Sequence, residues 1–192
     1  LYLGKKFLKR EIQSDNLNLT SFVGDIGALP LASKSIDTII SNHALEPNRD
    51  NLPQLISELF RVARKRLILF EPSYEHASAE GKERMDKHRY IKGIENVVKK
   101  LGGQVLHVQL LKNRINSLNP SCAYIISPPL VRDHSVRLEL HPVLTIPGTD
   151  YFLTKIDNFL FSEEIGVAFP ILKKIPILRQ NSHIIASSLS VG

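Results

Sequence analysis

Apolar segments of strand length alternate with amphipathic helices over the first two thirds of the chain, and this order constrains the fold most. Residues 36–41 and 66–71 have the apolar composition of buried strands. Between them, residues 51–62 place leucine, isoleucine and phenylalanine on one helical face. Strands joined through helices favour a parallel sheet covered on both faces. The sequence therefore predicts an α/β fold with a mostly parallel sheet.

Further elements extend this pattern in both directions. Residues 1–12 and 82–101 have helical spacing, and residues 19–23 have the composition of a short strand. Two more strands are predicted at residues 104–111 and 123–127 with no helix between them. Two consecutive strands without a crossover helix favour antiparallel pairing. We therefore expect an antiparallel pair at one edge of the sheet.

The pattern changes after Pro128-Pro129, where short apolar stretches separated by proline and glycine replace helical periodicity. This composition predicts a small β-rich domain over residues 128–192, following an α/β domain over residues 1–127. A unit of about 65 residues is near the lower limit of independent stability. We therefore expect the tail to pack against the α/β domain or against a second copy in a homodimer.

Charge and cysteine content narrow the classes of function. Residues 1–127 carry 19 lysines and arginines against 13 acidic residues, whereas residues 128–192 carry six of each. A basic face of this kind is either a solvated helix surface or a contact for an anionic partner such as nucleic acid. The single cysteine, Cys122, excludes an intrachain disulfide and favours a cytoplasmic protein. No apolar run has the length of a membrane span, so no membrane partner is expected.

Three polar clusters follow predicted strands: Gly24-Asp25, residues 42–46 and residues 71–74. Ligands of open α/β sheets bind beyond the carboxyl ends of the strands. We therefore expect these clusters to meet at one edge of the sheet and to form the site.

The segments around these clusters carry a family resemblance. Residues 23–31 resemble the "GDaexLPf" segment of class I S-adenosylmethionine-dependent methyltransferases, and residues 35–46 resemble their "SFDxvxsxhxLEH" segment. Residues 59–64 and 66–72 are similar to the helix and strand that follow in that family. The resemblance covers residues 1–127 and implies a Rossmann-like fold, a transferase activity and S-adenosyl-L-methionine as cofactor.

The resemblance also implies roles for individual residues. Asp25 would accept a hydrogen bond from the adenine amino group, and the Ile26 N–H would reach a ring nitrogen. His43 would lie at the mouth of the pocket near the methionine end, with Glu46 beside the substrate. The alternatives are a turn at Asp25 after the strand, an ordinary loop histidine, and a Glu46 that caps the following helix together with Asp50.

The same resemblance implies that Glu71 and Tyr74 contact the substrate. The alternative is that Pro72 alone accounts for the turn that these residues make. The acceptor and the catalytic residues are not defined by these motifs, because methyl transfer from a sulfonium depends mainly on alignment of the reacting groups.

This sequence departs from the family pattern at several positions. The first strand with its Gly-rich loop and the acidic residue of the second strand are missing. The chain begins at Leu1 and its one methionine is Met85, so we expect an N-terminally incomplete domain. Pro47 stands where the family has histidine, and Arg64-Lys65-Arg66 replaces a "kpGG" turn.

A second resemblance lies in the tail. Residues 165–178 are similar to the "laFPlrdGIPvLL" ending of a small zinc-ribbon-like family of methyltransferase activators. The cysteine pairs of that family are absent, and His141-Pro142 stands at one of their places, so no metal site is expected.

Two hypotheses about function follow from these observations. The first is an S-adenosylmethionine-dependent methyltransferase with an undefined acceptor. The second is a non-catalytic methyltransferase-like scaffold that binds a protein or nucleic-acid partner through its basic face or its tail. The basic face would include a group of lysines and arginines near the start of the chain and a second group at residues 61–66. The first group consists of Lys5, Lys6, Lys9 and Arg10.

Overall fold

The structure is a computed structural model that describes residues 19–112, 118–130 and 143–186. The predicted helix at residues 1–12, with the first basic group, lies outside the described residues, as does His141. The chain divides into two compact units. The α/β unit comprises the described part of residues 32–142, and the β unit comprises the described parts of residues 1–31 and 143–192. This grouping differs from the predicted boundary between residues 127 and 128, because residues up to Leu31 join the C-terminal strands.

The α/β unit contains a four-stranded sheet. Its strands are β2 (Ile36–Asn42), β3 (Ala63–Pro72), β4 (Gln104–Leu110) and β5 (Ser121–Ser127), in the spatial order β2-β3-β5-β4. β2 and β3 run parallel, whereas β3–β5 and β5–β4 are antiparallel pairs. The expected antiparallel edge is confirmed. The described sheet is mixed rather than mostly parallel, because β5 inserts between β3 and β4.

Three α-helices belong to this unit: α1 (Leu52–Val62), α2 (Ala79–Lys87) and α3 (Ile94–Lys100). A 3-10 helix at Glu46–Asn51 leads into α1, whose second residue is Pro53. Proline is tolerated there because the N–H groups of a first turn have no intrahelical partner. The prediction of one helix over residues 82–101 is wrong. Arg89 and Gly93 both adopt positive φ, 54° and 70°, and this left-handed backbone separates α2 from α3.

One face of the four-stranded sheet is buried. Alternate residues of β3 and β5 form it, and among them Leu67, Leu69 and Ile126 are completely buried. The alternation follows from the two-residue period of a strand, which sends successive side chains to opposite faces. Ile40 on the opposite face is 67% exposed. The buried face is therefore the one that positions side chains such as Glu71 at the end of β3.

The β unit is built from short strands. They are β1 (Val23–Gly24), β6 (Thr154–Ile156), β7 (Phe159–Ser162), β8 (Val167–Leu172), β9 (Ile175–Leu178) and β10 (Ile184–Ile185). The order is β1-β9-β8-β7-β6, and β10 pairs with β8. Its core consists of buried apolar side chains from β7, β8 and β9: Leu160, Val167, Phe169 and Leu178.

Residues from near the start of the chain complete this sheet. β1 pairs with β9 in parallel, with Val23 beside Ile177. The carbonyl of Pro30 accepts a hydrogen bond from the Thr145 N–H at 3.2 Å, and the carbonyl of Leu29 accepts one from the Gly148 N–H at 3.0 Å. The C-terminal strands are therefore stabilised by a segment that the sequence assigns to the α/β domain.

The described residues form neither a metal-binding cluster nor a membrane-spanning helix. Over residues 19–112, 118–130 and 143–186, no group of three or more His, Cys, Asp or Glu side chains could hold a metal ion. In the same part of the chain, every helix is too short or too polar to cross a membrane.

Candidate functional site

The parallel strands β2 and β3 end at the same edge of the sheet, and the chain turns sharply there. The His43 N–H donates to the carbonyl of Phe70 at 2.8 Å, which extends the ladder between the two strands by one residue. His43 itself adopts φ 51°, in the left-handed region that residues with a Cβ rarely occupy. This turn carries the chain across the end of β3 and leaves the imidazole of His43 exposed.

Glu71 lies at the end of β3 and is completely buried. Its Oε1 atom accepts hydrogen bonds from the N–H groups of Ala44 and Leu45, each at 3.0 Å. Its Oε2 atom has no hydrogen-bond partner in the described part of the chain. Burial raises the pKa of Glu71 above its usual value, while the backbone N–H groups and the charge of His43 oppose that shift. Glu71 is thus a buried acid bound to the backbone of the neighbouring loop.

Glu46 begins the 3-10 helix that follows the turn, and it is half-buried. Its carboxylate lies 3.9 Å from Arg49, whereas Asp50 pairs with Arg89 at 2.8 Å. The first turn of α1 has no side-chain cap, since Asn51 makes no capping hydrogen bond. The interpretation that Glu46 and Asp50 cap this helix is therefore wrong.

Tyr74 has contacts with α2 and with the segment after it. Its hydroxyl donates to Asp86 at 3.0 Å, and Lys92 pairs with the same carboxylate. The Lys92 ammonium also lies 4.1 Å from the centroid of the Tyr74 ring. The hydrogen bond to Asp86 raises the pKa of Tyr74. These contacts tie the loop after β3 to α2, so a structural role accounts for Tyr74 without a ligand.

A polar pair that the sequence motifs do not indicate lies directly after β3. Ser73 is completely buried, and its Oγ lies 2.8 Å from Nδ1 of His76. The Ser73 N–H donates to the carbonyl of Pro120 at 2.8 Å. A serine and a histidine three residues apart after a strand can predict a local hydrogen bond. The burial of the serine cannot be predicted in this way, because it depends on β5 and on the segment before β5.

Asp25 and Ile26 lie in the β unit, in the turn after β1. Oδ1 of Asp25 accepts the Gly27 N–H at 2.8 Å, and its carbonyl accepts the Ala28 N–H at 3.2 Å. Asp25 therefore forms the turn that the alternative interpretation predicted. Its side chain is exposed. Neither its Oδ2 atom nor the Ile26 N–H makes a hydrogen bond within residues 19–112, 118–130 and 143–186.

The predicted site residues are therefore divided between the two units. Asp25 and Ile26 belong to the β unit, whereas His43, Glu46, Glu71 and Tyr74 belong to the α/β unit. The prediction that all three polar clusters follow strands of one sheet is wrong for Gly24-Asp25. The reason is that β1 pairs with β9, not with β2 or β3. Within the α/β unit, the structure brings Glu71 to the backbone between His43 and Glu46.

The basic residues at 61–66 are largely paired. Arg61 contacts Glu58 at 2.7 Å, and Asp37 pairs with both Arg64 and Lys65. The Arg64 guanidinium holds the pKa of Asp37 below its usual value. These acidic residues neutralise much of the positive charge at residues 61–66 that would otherwise attract an anionic partner.

Comparison with known proteins gives one family match. Residues 4–70 match the family described as "Methyltransferase domain". No curated protein matches the sequence. The match agrees with the methyltransferase resemblance of the motifs, and S-adenosylmethionine is the cofactor that this resemblance implies. The matched segment includes Asp25, Ile26, His43 and Glu46.

Solved structures of methyltransferases show weak similarity. An S-adenosylmethionine-dependent methyltransferase from Methanosarcina mazei is 15% identical, with a TM-score of 0.46 over 64% of this chain and 76% of that one. Magnesium protoporphyrin IX methyltransferase from Synechocystis PCC 6803 with bound SAH is 16% identical, with a TM-score of 0.47 over 64% of this chain. The chain spans 57% of the length of that second protein.

Proposed function

We propose that this chain binds S-adenosylmethionine and is part of a methyltransferase whose acceptor is undefined. The observation that carries the proposal is the methyltransferase-domain match over residues 4–70. That segment contains both the Asp25 turn and the His43 turn, whose residues the family resemblance assigns to the cofactor and the substrate. The single cysteine, which is buried in β5, favours a reducing compartment, and the cytoplasm remains the predicted location.

The Asp25 turn has the chemistry that an adenine ring requires. Adenine presents an amino donor beside a ring-nitrogen acceptor on one edge, so a protein must offer an acceptor beside a donor. Oδ2 of Asp25 is such an acceptor, and the neighbouring Ile26 N–H is such a donor. Because the turn is closed through Oδ1 and the Asp25 carbonyl, both groups are left for a ligand. The residues present therefore fit the proposed cofactor.

The His43 turn, within the α/β unit, carries groups suited to the acceptor side of a methyl transfer. When bound, S-adenosylmethionine supplies an activated methyl group on a sulfonium. The protein then has to align an acceptor and, where the acceptor loses a proton, to take that proton up. The exposed imidazole of His43 and the half-buried carboxylate of Glu46 are two groups at this edge that can hold a proton and that reach its surface.

Calorimetric titration with S-adenosylhomocysteine tests the proposal. We expect the chain to bind with a dissociation constant of about 10 to 1,000 µM, or about −7 to −4 kcal/mol. Asp25→Asn is the informative variant. The asparagine oxygen can still accept the Gly27 N–H, but its amide places a donor opposite the adenine amino group. We therefore expect a loss of about 1–3 kcal/mol in binding with little change in thermal stability.

Asp157→Asn is the matched control. Asp157 is an exposed aspartate at the turn between β6 and β7 of the same unit, so it has similar charge and exposure. This variant should bind like wild type. Equal affinity of Asp25→Asn and Asp157→Asn would remove Asp25 from the site, and a wild-type chain that binds no S-adenosylhomocysteine would overturn the proposed function.

A further inference from the structure

Glu71 is a buried acid without an ion-pair partner in the described residues. The ion pairs there all join other groups, and the hydrogen bonds of Glu71 come from the backbone of Ala44 and Leu45. A buried carboxylate is costly unless hydrogen bonds compensate its lost hydration. The buried position of Glu71 is therefore explained by the loop between His43 and Glu46, whose backbone N–H groups bind its carboxylate.

The His43 turn needs support on both sides. The left-handed backbone of His43 is unfavourable for a residue with a side chain, so contacts around it must fix it. On one side, the His43 N–H is held by the carbonyl of Phe70. On the other side, the next two N–H groups both point to Oε1 of Glu71. The buried side chain of Leu45 adds an apolar contact to the same segment.

We propose that Glu71 is a positioning residue: its carboxylate fixes the backbone after His43, so that the His43 imidazole stays at the carboxyl edge of β2 and β3. This assignment replaces direct substrate contact, because Glu71 is completely buried. Its consequence for methyl transfer rests on the proposed function. The positioning itself concerns this chain alone and can be measured without a cofactor.

Three variants separate positioning from simple packing. Glu71→Gln keeps the size and the accepting oxygen, so the bonds from Ala44 and Leu45 should persist. Glu71→Leu keeps most of the volume and leaves both N–H groups without an acceptor. If the leucine variant does not fold, Glu71→Asp replaces it, because its carboxylate is one methylene shorter and should reach the two N–H groups poorly.

Two NMR measurements on the full chain give the readouts. The Cα chemical shift of His43 reports its left-handed backbone, and amide hydrogen exchange reports the bonds of Ala44 and Leu45. We expect wild type and Glu71→Gln to agree in the His43 shift and to exchange within about threefold of each other. In Glu71→Leu the His43 shift should move towards ordinary values, and the two amides should exchange at least about tenfold faster. Amides of Leu69 and Tyr124 in β3 and β5 serve as references for global stability.

The outcomes are distinct. Unchanged His43 shift and exchange in a folded Glu71→Leu, or in Glu71→Asp when the leucine variant does not fold, would overturn the proposal. If Glu71→Gln changed the His43 shift and the amide exchange as much as Glu71→Leu does, the proposal would also be overturned, since the accepting oxygen would then be irrelevant. Titration of wild type with S-adenosylhomocysteine separates the two ideas. No binding there, together with the expected NMR changes, would overturn the proposed function and leave Glu71 as the residue that positions His43.

Discussion

The Asp25 turn and the His43 turn both follow a strand, yet they are held in different ways. Asp25 closes its own turn through hydrogen bonds to Gly27 and Ala28, two and three residues away. The His43 turn is closed by Glu71, which comes from another strand and is buried. A local turn can be recognised from its own residues, whereas a turn held from a distance depends on the assembled sheet. The Asp25 turn leaves Oδ2 of Asp25 and the Ile26 N–H without hydrogen bonds in the described residues. The His43 turn has a fixed backbone that presents the His43 imidazole.

Truncation of the apolar residue in each turn should give the largest difference. Leu45 is completely buried beside the Glu71 carboxylate, whereas Ile26 is half-buried in the Asp25 turn. Leu45→Ala should lower the free energy of unfolding by about 2–5 kcal/mol, because it deletes a fully buried side chain. Ile26→Ala should cost about 1 kcal/mol or less. Urea unfolding of both variants measures the difference, and equal costs would contradict the contrast between the turns.

The buried carboxyl of Glu71, which holds the His43 turn, should make the stability of the chain depend on pH. The pKa of Glu71 in the folded chain lies above its usual value of 4.5 because of burial. Between those two pKa values the folded chain binds more protons than the unfolded chain. The stability of wild type should therefore fall as pH rises from about 4.5 through the raised pKa, and the loss should be complete above it.

Glu71→Gln should lack this slope, because glutamine does not titrate. His43, whose charge lowers the pKa of Glu71, is kept in both proteins, so the two proteins differ in an ionisable side chain only at position 71. Urea unfolding of wild type and variant across this pH range checks the prediction. A difference that stays constant with pH, or that changes in favour of wild type as pH rises, would show that the pKa is not raised.

A smaller effect is expected at the turn between β8 and β9, which is as local as the Asp25 turn. Lys173 and Lys174 both have positive φ, 49° and 64°, in a two-residue turn between the paired strands. Such turns favour asparagine and glycine, because a Cβ is strained in that conformation. Lys174→Gly should raise the stability of the chain by about 0.5–1 kcal/mol. Thermal unfolding of wild type and Lys174→Gly at the same pH measures this difference in stability. A lower melting temperature for the variant would show that the turn is not strained at Lys174.

The sequence located the elements of the α/β unit with small errors. β2, α1 and β4 begin or end within one residue of the predicted bounds, because strand and helix periods are visible in their apolar residues. The single helix predicted over residues 82–101 failed at Arg89 and Gly93, since tertiary contacts of the neighbouring residues override helical spacing there. Asp86, for example, is engaged by Tyr74 and Lys92.

The candidate site was less visible from the sequence. The motifs indicated the segments around Asp25 and His43, but not that β1 would pair with β9 in a different unit from β2. Nor did they indicate that Glu71 would be buried, because its partners are backbone N–H groups that have no residue-type signal. Long-range pairing and backbone hydrogen bonds are properties of the folded chain, so one sequence without its fold does not reveal them.

The central proposal is that the Asp25 turn binds the adenine of S-adenosylmethionine. An NMR titration of the wild-type chain with S-adenosylhomocysteine tests it most directly. The Ile26 N–H makes no hydrogen bond within the described residues. We predict that its proton resonance moves downfield and saturates with the dissociation constant found by calorimetry, while the amide of Asp157 stays in place. An Ile26 resonance that does not move at saturating ligand would contradict the claim.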